Sequence, residues 1–109
     1  KGVTLGLHSD FNMAPIDPLR LAWIAANRQT VDGNIKGPME RLSIEKALRA
    51  ITIEAAEVIG MQDMVGSIRA GKKADFVVLA SDPATGKRKT LKDVKVEGVV
   101  FEGAWYPAK

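Results

Sequence analysis

KGVTLGLHSDFNMAP, residues 1–15, alternates like a β-strand and then breaks into a loop. Successive side chains of a strand point to opposite faces. From Val3 to Asp10, one face therefore carries Val3, Leu5, Leu7 and Ser9, and the other carries Thr4, Gly6, His8 and Asp10. The first face is apolar, as if a helix covers it. The second is polar or bare and ends in a carboxylate where strand gives way to loop. In β/α architectures the chemistry collects at the C-terminal ends of strands, where loops converge. Asp10 is therefore the candidate functional residue. The competing reading has Asp10 capping a turn ahead of Asn12 and Pro15, and spacing alone does not choose between the two.

Downstream of this stretch, Asp17-Pro18 marks a helix start: Asp17 suits the N-cap, and Pro18 the first helical position, where no amide hydrogen is needed. Leu19, Ala22, Trp23 and Ala26 recur at i, i+3, i+4 and i+7, predicting a helix to about Gln29 that packs back on the strand. Asp32 to Met39, with two glycines and a proline, reads as an exposed loop. Ser43 opens the next helix, although Lys46 stands where a capping box wants Glu. Ile44, Ala47, Leu48 and Ile51 line one of its faces. The β-branched run Ile51-Thr52-Ile53 predicts a break, with Thr52 capping a short helix from Glu54 to Ile59 that stops at Gly60.

From Met61 the periodicity turns extended. Val65 to Ile68 reads as a short edge strand, Ala74 to Leu79 as a strand rich in β formers, and Val94 to Phe101 as another. Glu102-Gly103 is a two-residue hairpin turn, with Ala104-Trp105-Tyr106 returning. The chain thus divides into a β/α part, residues 1–60, and a small β-sheet part, residues 61–109.

With 109 residues and 11.8 kDa, a self-contained fold would expose about 5,900 Å². That allows one core and no large enzyme pocket. The net charge of +3 is mild. The basic run Lys87, Arg88, Lys89 and Lys92 reads as a solvated loop without the interleaved aromatics that nucleic-acid binding favours, so no nucleic acid is expected as partner. The absence of cysteine rules out disulfides and thiolate metal sites and fits a reducing, cytoplasmic setting. No segment approaches the roughly 20 apolar residues of a membrane span, and none resembles a signal peptide. A chain starting at Lys1, directly inside a strand, reads as a piece of a longer protein.

The order of motifs carries a resemblance. Leu7-His8-Ser9-Asp10 at a strand end is followed by Asp17-Pro18, by Ala26-Asn27-Arg28, by Arg41 to Leu48, and by Thr52-Ile53-Glu54-Ala55-Ala56. Val65-Gly66-Ser67-Ile68-Arg69-Ala70-Gly71-Lys72-Lys73-Ala74-Asp75 and the hairpin from Val96 to Gly103 complete it. Together these resemble the C-terminal part of a metal-dependent amidohydrolase, in the branch of cyclic-amide and N-substituted formamide hydrolases.

The resemblance implies an α/β fragment: the last β/α unit of a TIM-like (β/α)₈ barrel with its closing helices, then the C-terminal part of a small β-sandwich. It implies hydrolysis of a C–N bond in a small-molecule amide by a metal-activated water. Asp10 would be metal ligand and general base, in keeping with metal-ion and acid–base catalysis at large. The ion is expected to be divalent, zinc above others, and to belong to the longer protein. This piece lacks the His-x-His pair and the other family ligands, cannot complete a four-ligand zinc site, and is expected to be inactive alone. His8 replaces the glycine or alanine usual before Ser-Asp. On the face of Asp10 it stands as a second candidate ligand, against the reading of a buried, hydrogen-bonded or surface histidine.

Lys72 and Asp75 read as structural, Arg28 as a cation at a helix C-terminus, and Trp23 and Trp105 as core. A lone barrel strand has two unpaired edges, so the piece should self-associate. The rival to the enzyme reading is a self-standing structural or interaction module with no site.

Overall fold

The computed structural model describes residues 2–109, so Lys1, the first residue of the opening stretch, lies outside the described residues. Helix α1 spans Pro18–Asn27. As its spacing predicts, Asp17 Oδ1 accepts the Arg20 amide at 3.1 Å and Pro18 takes the first turn. It stops two residues earlier than expected because Arg28 adopts a left-handed conformation, φ 56°. The Arg28 amide still donates to Ile24 O at 2.7 Å, and its side chain turns back to Lys36 O.

Helix α2, Ile44–Ala50, starts with Ser43 Oγ accepting the Lys46 amide, and α3 follows as Ile53–Val58. The predicted break falls at Ile51-Thr52. Thr52 occupies the capping position of α3, yet its hydroxyl donates back to Leu48 O at 2.8 Å. Its bond therefore closes α2 rather than opening α3. Gly60, at φ 72°, ends the helix as expected.

The basic run is exposed, as a solvated segment should be, but it is not a loop. Arg88–Asp93 winds into a 3₁₀ helix that lies on α1 and drives Leu91, 1% exposed, into the core with Ala22, Ala26 and Ala47. Three alanines let α1, α2 and this turn approach closely, and polar bonds close the seam. Trp23 Nε1–H donates to Lys89 O at 2.8 Å, and the buried Asn27 amide donates to Trp23 O and Arg88 O. Arg41 donates to Asn27 O at 3.0 Å, and the Lys92 ammonium sits 5.6 Å from the centre of the Trp23 ring. The side chains of Lys87, Arg88, Lys89 and Lys92 stay exposed, while the Arg88 and Lys89 carbonyls accept from the Asn27 and Trp23 side chains.

The sheet is antiparallel in the order β1-β2-β3, with β1 Phe76–Leu79, β2 Val96–Phe101 and β3 Ala104–Pro107. Glu102 and Gly103, both left-handed at φ 49° and 85°, make the hairpin turn whose twist suits paired strands. Asp75 Oδ1 accepts the Glu102 amide at 2.8 Å and Lys73 pairs with Glu102, so Asp75 is the turn-and-edge contact its position suggests. Trp105 is not core. It is 51% exposed and lies across Gly98, where a Cβ would overlap the indole.

Two expected strands are absent among the described residues. Val65 to Ile68 bends around Gly66, which sits at φ 87° so close to α3 that a Cβ would come within 2.7 Å of Ala56 Cβ. Lys72 clamps that bend through Gln62 O, Val65 O and Ser67 Oγ. Val3 to Asp10 pairs with no strand, because a ladder needs a neighbour and none of the described residues supplies one. Leu7 N–H donates to Ala50 O at 3.0 Å, so the stretch leans on α2 and α3, not on α1. Val3 stays 87% exposed and Leu5 42% exposed. The chain presents 8036 Å² to solvent, against the 5,900 Å² or so of a self-contained fold of its mass.

Candidate functional site

Residues 6–8 reach their place because Gly6 has no side chain: a Cβ there would stand 3.3 Å from Ala55 Cα and 3.4 Å from Val58 Cγ2. Close passage over α3 carries the backbone to Asp10, where it turns. Asp10 and Phe11 are both left-handed, at φ 54° and 45°. Asp tolerates this region better than most residues, whereas Phe does not, and such positions cost about 1–3 kcal/mol each. Two bonds hold the turn. His8 Nδ1 accepts the Asp10 amide at 3.2 Å, and Asp10 O accepts the Met13 amide at 3.2 Å.

Asp10 is exposed, and no described residue is bonded to its carboxylate. The turn reading and the functional reading of Asp10 thus meet in one geometry, a carboxylate on the outside of a pinned turn.

Beside this turn lies a cleft of about 680 Å³, between residues 6–8, α3, the Gly66 bend and the start of β1. Its walls are apolar, with Ile51, Ala55, Val58, Val65 and Phe76 among them, and His8 and Asp75 supply polar groups. Asp10 does not line it. The glycines at 6 and 66 were the one sequence signal for it, since each marks a backbone pressed against α3. A smaller, charged recess of about 330 Å³ lies on the other side of the Lys72 clamp, with Arg49, Glu57, Asp63 and Arg69 around it.

Among the described residues, no three His, Cys, Asp or Glu side chains gather to hold a metal ion. His8 and Asp10 offer two donors at most, and His8 Nδ1 is already engaged by a backbone amide. Structural and catalytic zinc sites take three or four protein ligands, so these residues do not fit a metal ion by themselves. Arg28 and Lys72 are both committed to backbone oxygens. No helix among the described residues is long and apolar enough to cross a membrane.

Residues 1–105 match the model of the amidohydrolase family. The chain belongs to the amidohydrolase family. Among curated amidohydrolase relatives it is similar to N-substituted formamide deformylase of Arthrobacter pascens, 36% identical over 104 residues, covering 91% of this chain and 19% of that protein. Imidazolonepropionase of Acinetobacter baumannii (strain AB0057) is 38% identical over 76 residues, covering 70% of this chain and 17% of that protein. Imidazolonepropionase of Bacteroides fragilis is 48% identical over 42 residues, covering 38% of this chain and 10% of its own length. The chain thus spans a fifth or less of each of these relatives. No solved structure matches it. The family implies a TIM-barrel-like fold; what the described residues contribute is an α/β segment with a three-stranded antiparallel sheet.

Proposed function

We propose that this chain is the C-terminal part of a longer amidohydrolase that hydrolyses the C–N bond of a small amide, an N-substituted formamide or a cyclic amide. In this reading residues 1–60 are the last barrel strand and its closing helices, and residues 61–109 are part of a β-sandwich. Asp10 stands at the end of that strand. Its carboxylate takes a proton from the attacking water and returns it to the leaving nitrogen, the work a positioned carboxylate does in general acid–base catalysis.

Amidohydrolases are generally metal-dependent. Asp10 would be this chain's contribution to a divalent, zinc-like site, with the other ligands outside these residues. Such an ion supplies Lewis acidity and a more acidic bound water.

The observation that carries the reading is the pinned, left-handed turn that leaves the Asp10 carboxylate exposed, in a chain that matches the family over residues 1–105. The name of the relative from Arthrobacter pascens supports formamides as the first substrates to try. The test is hydrolysis of a panel of N-substituted formamides and cyclic amides by the longer enzyme and its Asp10→Asn variant. Removing the base while keeping the size is expected to lower kcat by about 10²- to 10⁴-fold. An enzyme that holds no metal, or a variant as active as the original, contradicts it.

A further inference from the structure

Resting on the reading of Asp10 as the reacting carboxylate, we propose that His8 is a positioning residue, whose Nδ1 holds the Asp10 amide and thereby the turn that presents the carboxylate. Asp10 and Phe11 occupy consecutive left-handed conformations at φ 54° and 45°, an arrangement that reverts to ordinary backbone unless the surroundings enforce it. The bonds at the turn are few. On the downstream side Met13 N–H donates to Asp10 O at 3.2 Å; on the upstream side the Asp10 amide donates to His8 Nδ1 at 3.2 Å. Between them they hold both backbone polar groups of Asp10, and only the upstream one is made by a side chain.

The backbone of residue 8 is itself anchored. Gly6 is pressed on Ala55, and Leu7 N–H donates to Ala50 O at 3.0 Å. His8 therefore links a fixed point on the helices to a turn that has no helix beneath it. An imidazole that accepts at Nδ1 carries its hydrogen at Nε2. His8 is thus fixed in one tautomer, with Nδ1 spent on the backbone and withdrawn from any ligand.

The bond from residue i to the amide of residue i+2 is the one an asparagine side chain makes in an Asx-turn. That gives the experiment its rescue. The longer enzyme is compared with its His8→Ala, His8→Asn and Asp10→Asn variants for kcat and KM, and the imidazole nitrogens of the unmodified protein are assigned by NMR. His8→Ala is expected to lose about 10- to 100-fold in kcat, the scale of a misplaced reacting group, with KM within about two-fold. His8→Asn should recover most of that loss, and the His8 hydrogen should sit on Nε2.

An alanine variant with unchanged kcat, an asparagine variant as slow as alanine, or a hydrogen on Nδ1 overturns the proposal. The tautomer is read on the unmodified protein and decides the matter even if a variant does not fold. Turnover lost in Asp10→Asn but kept in His8→Ala sinks only the role of His8. Turnover kept in Asp10→Asn sinks the catalytic reading beneath it.

Discussion

The seam between α1 and the 3₁₀ turn at residues 88–93 and the stretch from Val3 to Asp10 are opposite solutions to burying backbone. At the seam, four small or single apolar residues are closed off completely, and the polar groups around them are bonded side chain to backbone. In the opening stretch, Val3 and Leu5 stay open to solvent, and the stretch is tied down by the Leu7 amide on Ala50 O and by long bonds from Leu5 N and Thr4 Oγ1 to Glu54 and Glu57. The sheet sides with the stretch: Val77, Val99 and Tyr106 form a cross-strand row that is exposed throughout. The chain presents about 2,100 Å² more surface than its mass requires, and Val3, Leu5, Val77, Val99 and Tyr106 are among the exposed apolar side chains. The seam is finished within the chain, whereas the stretch and the outer face of the sheet have the pattern of surfaces meant to be covered.

That contrast predicts where substitution hurts. Leu91→Ala empties the one large side chain buried in the seam and is expected to cost about 2–5 kcal/mol, read by denaturant unfolding. Gly66→Ala combines left-handed strain with overlap on Ala56 and should cost about 1–3 kcal/mol. Asn27→Ala removes the side-chain bonds to Trp23 O and Arg88 O that close the seam, for about 1–3 kcal/mol. By contrast, replacing Val3 and Leu5 with Ser should leave the stability of the chain within about 0.5 kcal/mol, while lowering the self-association that two unpaired edges invite. Sedimentation that shows a monomer at high concentration before any substitution contradicts that part of the account.

The smallest effect belongs to the exposed loop. Hydrogen bonds from the Thr30 hydroxyl and then the Asn34 amide hold the Asp32 carboxyl below the usual aspartate range. A lowered carboxylate stabilises the fold above its unfolded value, near pH 3.9. That contribution fades as pH falls through the folded value. A carboxyl NMR titration should therefore find Asp32 titrating below an ordinary aspartate, and closer to it in Asn34→Ala.

Local chemistry was easy to read ahead of the structure. Asp17 and Ser43 cap as their types dictate and Glu102-Gly103 turns as its pair dictates, because each acts within a few residues; Asp75 does structural work too, through a bond to Glu102 across the sheet. The seam was hidden because Leu91 is a lone apolar residue among Lys87, Arg88, Lys89 and Lys92 and generates no period. The alternation from Val3 to Asp10 was visible, yet alternation describes two faces and not a neighbour, so the ladder it implies is missing here. Trp105 departs from a core position for a similar reason: its partner is the bare Gly98, which no pattern of apolar residues announces. The candidate site followed the same division. Asp10 was identifiable at the strand end, while its left-handed turn and the bond from His8 depend on where Gly6 and Leu7 meet the helices.

Amide hydrogen exchange, followed residue by residue in this chain alone and in the longer enzyme, tests most directly whether the opening stretch is a strand awaiting neighbours. In the chain alone, the amides of α1 should be protected, and those from Val3 to Ser9 should exchange freely apart from Leu7 and, more weakly, Leu5. In the longer enzyme the amides from Val3 to Ser9 should slow by orders of magnitude as the ladder forms. Protection from Val3 to Ser9 in the chain alone, or free exchange there in the longer enzyme, would contradict the account.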